Sequence, residues 1–262
     1  MMDLFSLEGK IVLVTGATHG LGMSIAEGLA MAGATIVING RSQERLMQAK
    51  EKYAEKQIIV HTYAFDVSDE AQVITNLSKI EDEVGCVQIL VNNAAIIQRT
   101  PLLDMETDDF ERVIKMDLIS PYIMSKYVAK TMIKNGGGKI IHMCSMMSEV
   151  SRNSVGAYAS AKGGLKMLTK SMADEWAKFN IQVNGIGPGY FATDQTAPIR
   201  TDGHPFNDFI IKRTPARKWG CPEDLKGAAI FLASKASDFV NGHILYVDGG
   251  ILATLGSHSG EQ

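Results

Sequence analysis

Short apolar runs punctuate the chain at residues 11–15, 35–39, 58–64, 89–92, 139–143, 181–186 and 244–247. They are nearly continuous in Val and Ile, with few polar alternations, which predicts strands covered on both faces. Between these runs the apolar positions take helical spacing. Ala161, Leu165, Leu168, Met172 and Trp176 follow one another at four, three, four and four residues, one stripe of an amphipathic helix. Strands alternating with helices build βαβ units with right-handed crossovers. The expected fold class is therefore α/β: a single doubly wound parallel sheet of about seven strands with helices on both faces, residues 1–262 forming one domain. Such sheets bind ligands beyond the carboxyl ends of their strands. The tail 256–262 carries no pattern and is expected to be loose.

Composition narrows the function. With 262 residues, 45% of them hydrophobic, and no Pro/Ser-rich linker, one large core is the simplest arrangement. The net charge of −3 gives no electrostatic footprint for nucleic acid. Cys86, Cys144 and Cys221 are far apart, without the spacing of a disulfide framework or a zinc site, so no metal is expected. The first ten residues lack a basic segment and an apolar segment, and no run reaches the roughly 18 apolar residues of a membrane span. A cytoplasmic protein acting on a small molecule, with no nucleic-acid or membrane partner, is the expectation.

The first strand run leads into Thr15-Gly16-Ala17-Thr18-His19-Gly20-Leu21-Gly22, and a helical pattern follows. Glycines here permit a tight turn and close backbone approach to a pyrophosphate, which the following helix N-terminus then meets with free N–H groups. The placement resembles a dinucleotide-binding, Rossmann-type turn, although the spacing is G-x-x-x-G-x-G. An NAD site usually places an acid about 20 residues further on. Gly40 occupies that place and Arg41 follows. A guanidinium there fits a 2′-phosphate, so NADP(H) is favoured and NAD(H) stays open; Arg41 is otherwise a solvated residue opening a helix. Asp66 either accepts from an adenine amino group or caps a helix. Asn92, Asn93, Ala94 and Ala95 offer small side chains and amides where cofactor and backbone would crowd.

Tyr158 and Lys162, four apart at the start of the Trp176 helix, share a face, and Ser145 lies thirteen residues before Tyr158 at the end of a strand. Removing a hydroxyl proton near neutral pH needs a base, and free tyrosine, with a pKa of roughly 10, is too weakly acidic. An adjacent ammonium is the natural source of the missing stabilisation. A Tyr-x-x-x-Lys pair alone also occurs on solvated helices.

Taken together, these features resemble the short-chain dehydrogenase/reductase family over essentially the whole chain. The matching stretches are TGATHGLG from Thr15, Asp66-Val67, NNAA from Asn92, Ser145, YASAK from Tyr158, Pro188-Gly189 with Thr193, and the closing NGHILYVDGG. The resemblance implies Tyr158 as acid/base, Lys162 on the nicotinamide ribose and lowering the tyrosine pKa, and Ser145 orienting substrate. Gly16, Thr18, His19, Gly20, Leu21, Gly22, Arg41, Asp66, Val67, Asn93, Ala94, Pro188, Gly189 and Thr193 would border the cofactor. A homotetramer is also implied. Ala95 replaces the usual glycine of NNAG, and Asp117 replaces the usual catalytic asparagine, which helps hold a water linking the lysine to solvent. If the backbone holds that water, Asp117 serves; if an amide donor is required, proton relay suffers.

The closer resemblance is to the bacterial gluconate 5-dehydrogenases, carried by DLFSLEGK, HMCSMMSEV, IQVNGIGPGYFAT, KRTPARKWG and KASDFVNGHILYVDGG. It implies interconversion of D-gluconate and 5-ketogluconate; the alternative reading is another reductase on the same scaffold, acting on a related uronate or deoxy-ketogluconate, or on a 3-oxoacyl thioester. A cofactor-sensing binding protein without turnover is a further reading. A substrate lid is expected around 190–215, polar in Thr193, Gln195, Arg200, Asp202, His204 and Asn207. Arg99 either pairs with a sugar-acid carboxylate or is a solvated loop residue. Glu149 and Arg152 either hold sugar hydroxyls or bridge each other.

Overall fold

The computed structural model describes residues 2–256; the loose tail expected at 256–262 lies outside the described residues from 257 onward. Seven strands form one sheet: β1 (Ile11–Thr15), β2 (Thr35–Gly40), β3 (Val60–Ala64), β4 (Ile89–Asn92), β5 (Gly138–Met143), β6 (Ile181–Pro188) and β7 (Ile244–Val247). Their order is β3-β2-β1-β4-β5-β6-β7, every pairing parallel. The order in which successive strands are added reverses between β1 and β4, while all strands stay parallel; Val12 faces Ile36 on one side and Ile89 on the other.

The Val/Ile runs are continuous because both faces of the sheet are covered. Val12, Val14, Ile36, Ile38, Ile89 and Val91 pack to one side, with α1 (Gly20–Met31), α2 (Gln43–Glu55) and α8 (Lys226–Ala233). Leu13, Val37 and Leu90 point to the other, against α3 (Glu70–Glu83), α5 (Ser120–Lys134) and α6 (Gly156–Trp176). Each of these side chains is fully buried, worth about 1.5–3 kcal/mol apiece. The helical stripe holds as well: Ala161, Leu165 and Met172 are buried, and Leu168 and Trp176 pack partly against the core. The remaining helices are α4 (Thr107–Ile114), continued by a wide π turn over Lys115–Ile119 into α5, and α7 (Pro205–Arg213). No helix among the described residues is long and apolar enough to cross a membrane.

Beyond one-residue extensions at Gly40 of β2 and Gly138 of β5, two strand ends differ from the apolar pattern, each for a local reason. β3 starts at Val60, because Ile58 N–H is used to close α2 on Tyr53 O after the left-handed Gln57, and Ile59 is exposed. β6 runs on through Gly185, Gly187 and Pro188, which look like strand breakers in isolation. Glycine is required there: a Cβ on Gly187 would lie 2.3 Å from the Tyr246 ring and one on Gly185 2.6 Å from Ile244.

Candidate active site

The carboxyl ends of the strands open onto one cavity of about 770 Å³. One end is the glycine turn after β1. Gly16 has φ of 63° and backs onto Ala94, where an added Cβ would stand 2.9 Å from the Ala94 Cα. The Asn93 amide donates to Thr15 O and Gly16 O, pinning the turn, and it fills the space that any side chain at Gly22 would need. His19 provides no side-chain cap to α1, which leaves the first N–H groups of the helix to meet an anion. Every residue expected to border a cofactor lines this cavity except Asp66. Asp66 turns back to accept from Ser68 N–H at 2.8 Å, and the cap of α3 is Asp69 instead. Asn92 also turns inward: its amide donates to Ser125 Oγ at 2.9 Å.

Ser145, Tyr158 and Lys162, the residues expected to react, line the same cavity. Tyr158 and Lys162 occupy the first turns of α6, with Lys162 Nζ 5.4 Å from the centre of the Tyr158 ring. Lys162 Nζ donates to Met143 O at 2.9 Å and lies 3.2 Å from Asp117 Oδ2. Asp117 is carried on the π turn, outside the cavity lining, and its Oδ1 accepts from Ile96 N–H at 2.8 Å. Both charges are buried. Burial pushes the Asp117 carboxyl above its ordinary range, opposed by Lys162 and by the Ile96 N–H. For Lys162, burial works against the ammonium, but the Asp117 and Tyr158 charges outweigh it and hold the ammonium above the ordinary lysine range. The position that usually holds asparagine therefore supplies two acceptors here, one for a backbone amide and one facing an ammonium. Ser145 follows β5 as the cap of a short 3-10 turn, Met146–Ser148, and its Oγ accepts from Met147 N–H at 3.1 Å. The hydroxyl proton is left free to donate.

The far end of the cavity carries Arg99, Arg152 and Tyr190, under α7. The Arg152 guanidinium lies 4.9 Å from the Phe206 ring centre, and its Nε is buried without a hydrogen-bond partner. Glu149 is not there. Its carboxylate is held by Lys166 Nζ at 2.5 and 2.6 Å and by the Tyr246 hydroxyl at 2.6 Å, outside the cavity. It therefore neither faces a substrate nor bridges Arg152.

Several wall residues escape the sequence reading. Arg45, one helical turn past Arg41 in α2, lines the cavity with Ser42 at the same end; four-residue spacing from Arg41 is the signal that points to it. Tyr190 and Phe206 meet edge to face at 5.7 Å, and only the folded lid brings them together.

This chain also resembles known proteins along its length. The family model described as enoyl-(acyl carrier protein) reductase matches residues 16–252. A 2-dehydro-3-deoxy-D-gluconate 5-dehydrogenase of Formosa agariphila is 65% identical over 262 residues, covering 100% of this chain and 99% of the relative. The chain belongs to the short-chain dehydrogenase/reductase family. A gluconate 5-dehydrogenase of Gluconobacter oxydans is 44% identical, over 97% of this chain and 98% of its own. Among solved structures, a gluconate 5-dehydrogenase from Burkholderia cenocepacia in complex with NADP and tartrate superposes with a TM-score of 0.92 at 43% identity, over 97% of this chain and 99% of that one. Family membership makes this an oxidoreductase, and Ser145, Tyr158 and Lys162 line the same cavity.

Proposed function

We propose that this oxidoreductase interconverts a secondary hydroxyl and a ketone at C5 of a six-carbon sugar acid, preferring NADP(H). The observation that carries the reading is one continuous cavity. It joins an uncapped helix N-terminus with Arg41 and Arg45 at one end, through Ser145, Tyr158 and Lys162, to two further arginines at the other. The glycine turn fits a dinucleotide pyrophosphate, since Gly16 and Gly22 have no room for a Cβ. NADP(H) at this end agrees with the NADP complex of the Burkholderia relative.

When bound, the nicotinamide accepts or supplies the hydride. In the oxidative direction Tyr158 takes the substrate hydroxyl proton, while Ser145 donates a hydrogen bond to the same oxygen. The Lys162 ammonium, buried beside the tyrosine ring, stabilises the charge that develops on the Tyr158 oxygen. Asp117 holds that ammonium charged. Segment 190–215, including α7, is the substrate lid of a single domain.

The 65% identical relative makes 2-dehydro-3-deoxy-D-gluconate the first substrate to test; D-gluconate, as in the 44% identical relative, is the second. A spectrophotometric screen of both acids, a uronate and a 3-oxoacyl thioester with each cofactor checks the reading. Turnover of a sugar acid with NADP(H) supports it; turnover of the thioester alone, or cofactor binding without turnover, overturns it.

A cytoplasmic homotetramer is part of the proposal. Unpaired Cys86, Cys144 and Cys221 suit a reducing compartment. Tyr122 and Ile133 on α5 and Met167 on α6 are exposed apolar side chains, and β7 is an edge strand of the sheet among the described residues. A monomeric mass by light scattering at micromolar concentration would rule out the assembly.

A further inference from the structure

Three charged residues line the substrate half of the cavity, Arg99, Arg152 and Lys162; Asp194 lines the cavity too, but also neighbours Thr18, His19 and Arg45 at the other end. Lys162 already faces Asp117, and Asp194 is exposed. Neither Arg99 nor Arg152 has an ion-pair partner among the described residues. Both cations favour the charged form of the Tyr190 phenol. Tyr190 cannot serve as their counter-ion, because burial raises its phenol above the ordinary range despite both cations.

The two arginines differ in surroundings. Arg99 is exposed, so water already solvates it and a new pair there adds little. Arg152 is half-buried, its guanidinium 4.9 Å from the Phe206 ring centre, with Nε shut off from solvent and without a partner. A buried N–H left without an acceptor is unfavourable. In arginine, Nε and one Nη together form the side that pairs with both oxygens of a carboxylate.

We propose that Arg152, braced by Phe206 and set against Tyr190, binds the carboxylate of the substrate, and thereby selects sugar acids over polyols and ketoses of equal length. The assignment rests on the sugar-acid reading above and names the group that enforces it. Arg99 acts at longer range, drawing the anion toward the cavity. Phe206 belongs to α7, so the guanidinium that meets the carboxylate also docks the lid.

The test compares D-gluconate with D-glucitol, which carries a hydroxymethyl group in place of the carboxylate; 2-dehydro-3-deoxy-D-gluconate is run alongside. Replacing Arg152 by Met should lower kcat/KM for the acids by about 10- to 100-fold, as expected for losing a charge-assisted pair. Activity on D-glucitol should be unchanged or higher, so the acid-to-polyol ratio collapses. Calorimetric affinity for the acid should fall in parallel, while NADPH affinity, read by fluorescence, stays within about twofold. Arg152→Lys, which keeps the charge without the fork, should recover only part of the loss. Arg99→Ala should change the ratio less than Arg152→Met does. An unchanged acid-to-polyol ratio in an Arg152→Met enzyme that binds NADPH normally overturns the assignment alone. A wild-type enzyme that turns over no sugar acid overturns the underlying function with it.

Discussion

The Asp117 carboxylate lies 3.2 Å from the Lys162 ammonium, and both side chains are buried. Removing one member of a buried pair leaves the other uncompensated. Asparagine at 117 keeps an acceptor for Ile96 N–H but removes the counter-charge, so burial acts on Lys162 with less opposition and its proton leaves at lower pH. Asp117→Asn should therefore move the alkaline limb of the kcat/KM profile to lower pH. The linkage has the same sign: a raised Lys162 contributes stability fully below the ordinary lysine value of 10.5, and that stability is lost as pH rises through the higher folded value. Melts of the variant should thus fall behind wild type below the ordinary lysine value, the gap narrowing as pH rises through the folded Lys162 value, and an unmoved limb would contradict the pairing's role.

Tyr158→Phe removes a proton acceptor but no phosphate contact. Turnover should fall below about a tenth of wild type, more than 1.4 kcal/mol of added barrier, with NADPH affinity nearly unchanged. Residual kcat above that level would exclude Tyr158 as the base.

Glu149 ties the segment after Ser145 to α6 and β7 through Lys166 and Tyr246. The hydrogen bonds from Lys166 and then Tyr246 hold its carboxyl below the ordinary glutamate range. Its contribution to stability is present above that ordinary range and lost as pH falls through the lower folded value. Glu149→Ala should reduce stability by roughly 1 kcal/mol, because the cluster is partly exposed. KM for the sugar acid should change by less than about twofold, under 0.5 kcal/mol. A tenfold rise would return Glu149 to the substrate site.

These residues show where sequence reading runs out. The strands and the glycine turn are legible because they depend on local pattern: doubly covered strands need unbroken Val and Ile, and Gly16 and Gly22 have backbone or amide atoms where a Cβ would be. Tyr158 and Lys162 are legible because helical spacing alone puts them together. Glu149 and Arg152 are only three apart, yet one faces β7 and the other the cavity, since the irregular turn between Ser145 and α6 has no period to read. Asp117 reaches Lys162 through a π turn that residue spacing does not announce. Asp66 and Asp69 both suit a helix cap, and the choice depends on where β3 ends.

Arg41 and Arg45 share the end of the cavity where a 2′-phosphate would sit, and both are exposed. Each exposed guanidinium–phosphate pair is worth on the order of 1–2 kcal/mol, so Arg41→Ala should raise KM for NADP(H) about five- to 30-fold and leave NAD(H) kinetics nearly unchanged. Arg45→Ala should act in the same direction, and the double variant should lose the preference. Reversing it is harder than placing an acid at Gly40. A Cβ there would lie 2.9 Å from Thr18 Cγ2 and 3.5 Å from Leu46 Cδ2. The Thr18 hydroxyl is 3.0 Å from His19 Nδ1, a hydrogen bond that favours the rotamer with its methyl toward Gly40. Gly40→Asp alone should therefore weaken both cofactors, the new side chain displacing the glycine turn along with the phosphate. Serine at 18 keeps the hydroxyl and removes the methyl. The double variant Thr18→Ser with Gly40→Asp should raise kcat/KM for NAD(H) above wild type while that for NADP(H) falls, because a carboxylate accepts from ribose hydroxyls and repels phosphate. Gain of NAD(H) activity in the single Gly40→Asp variant would show that Thr18 yields freely, and a wild-type enzyme faster with NAD(H) than with NADP(H) would sink the arginine reading whatever the variants do.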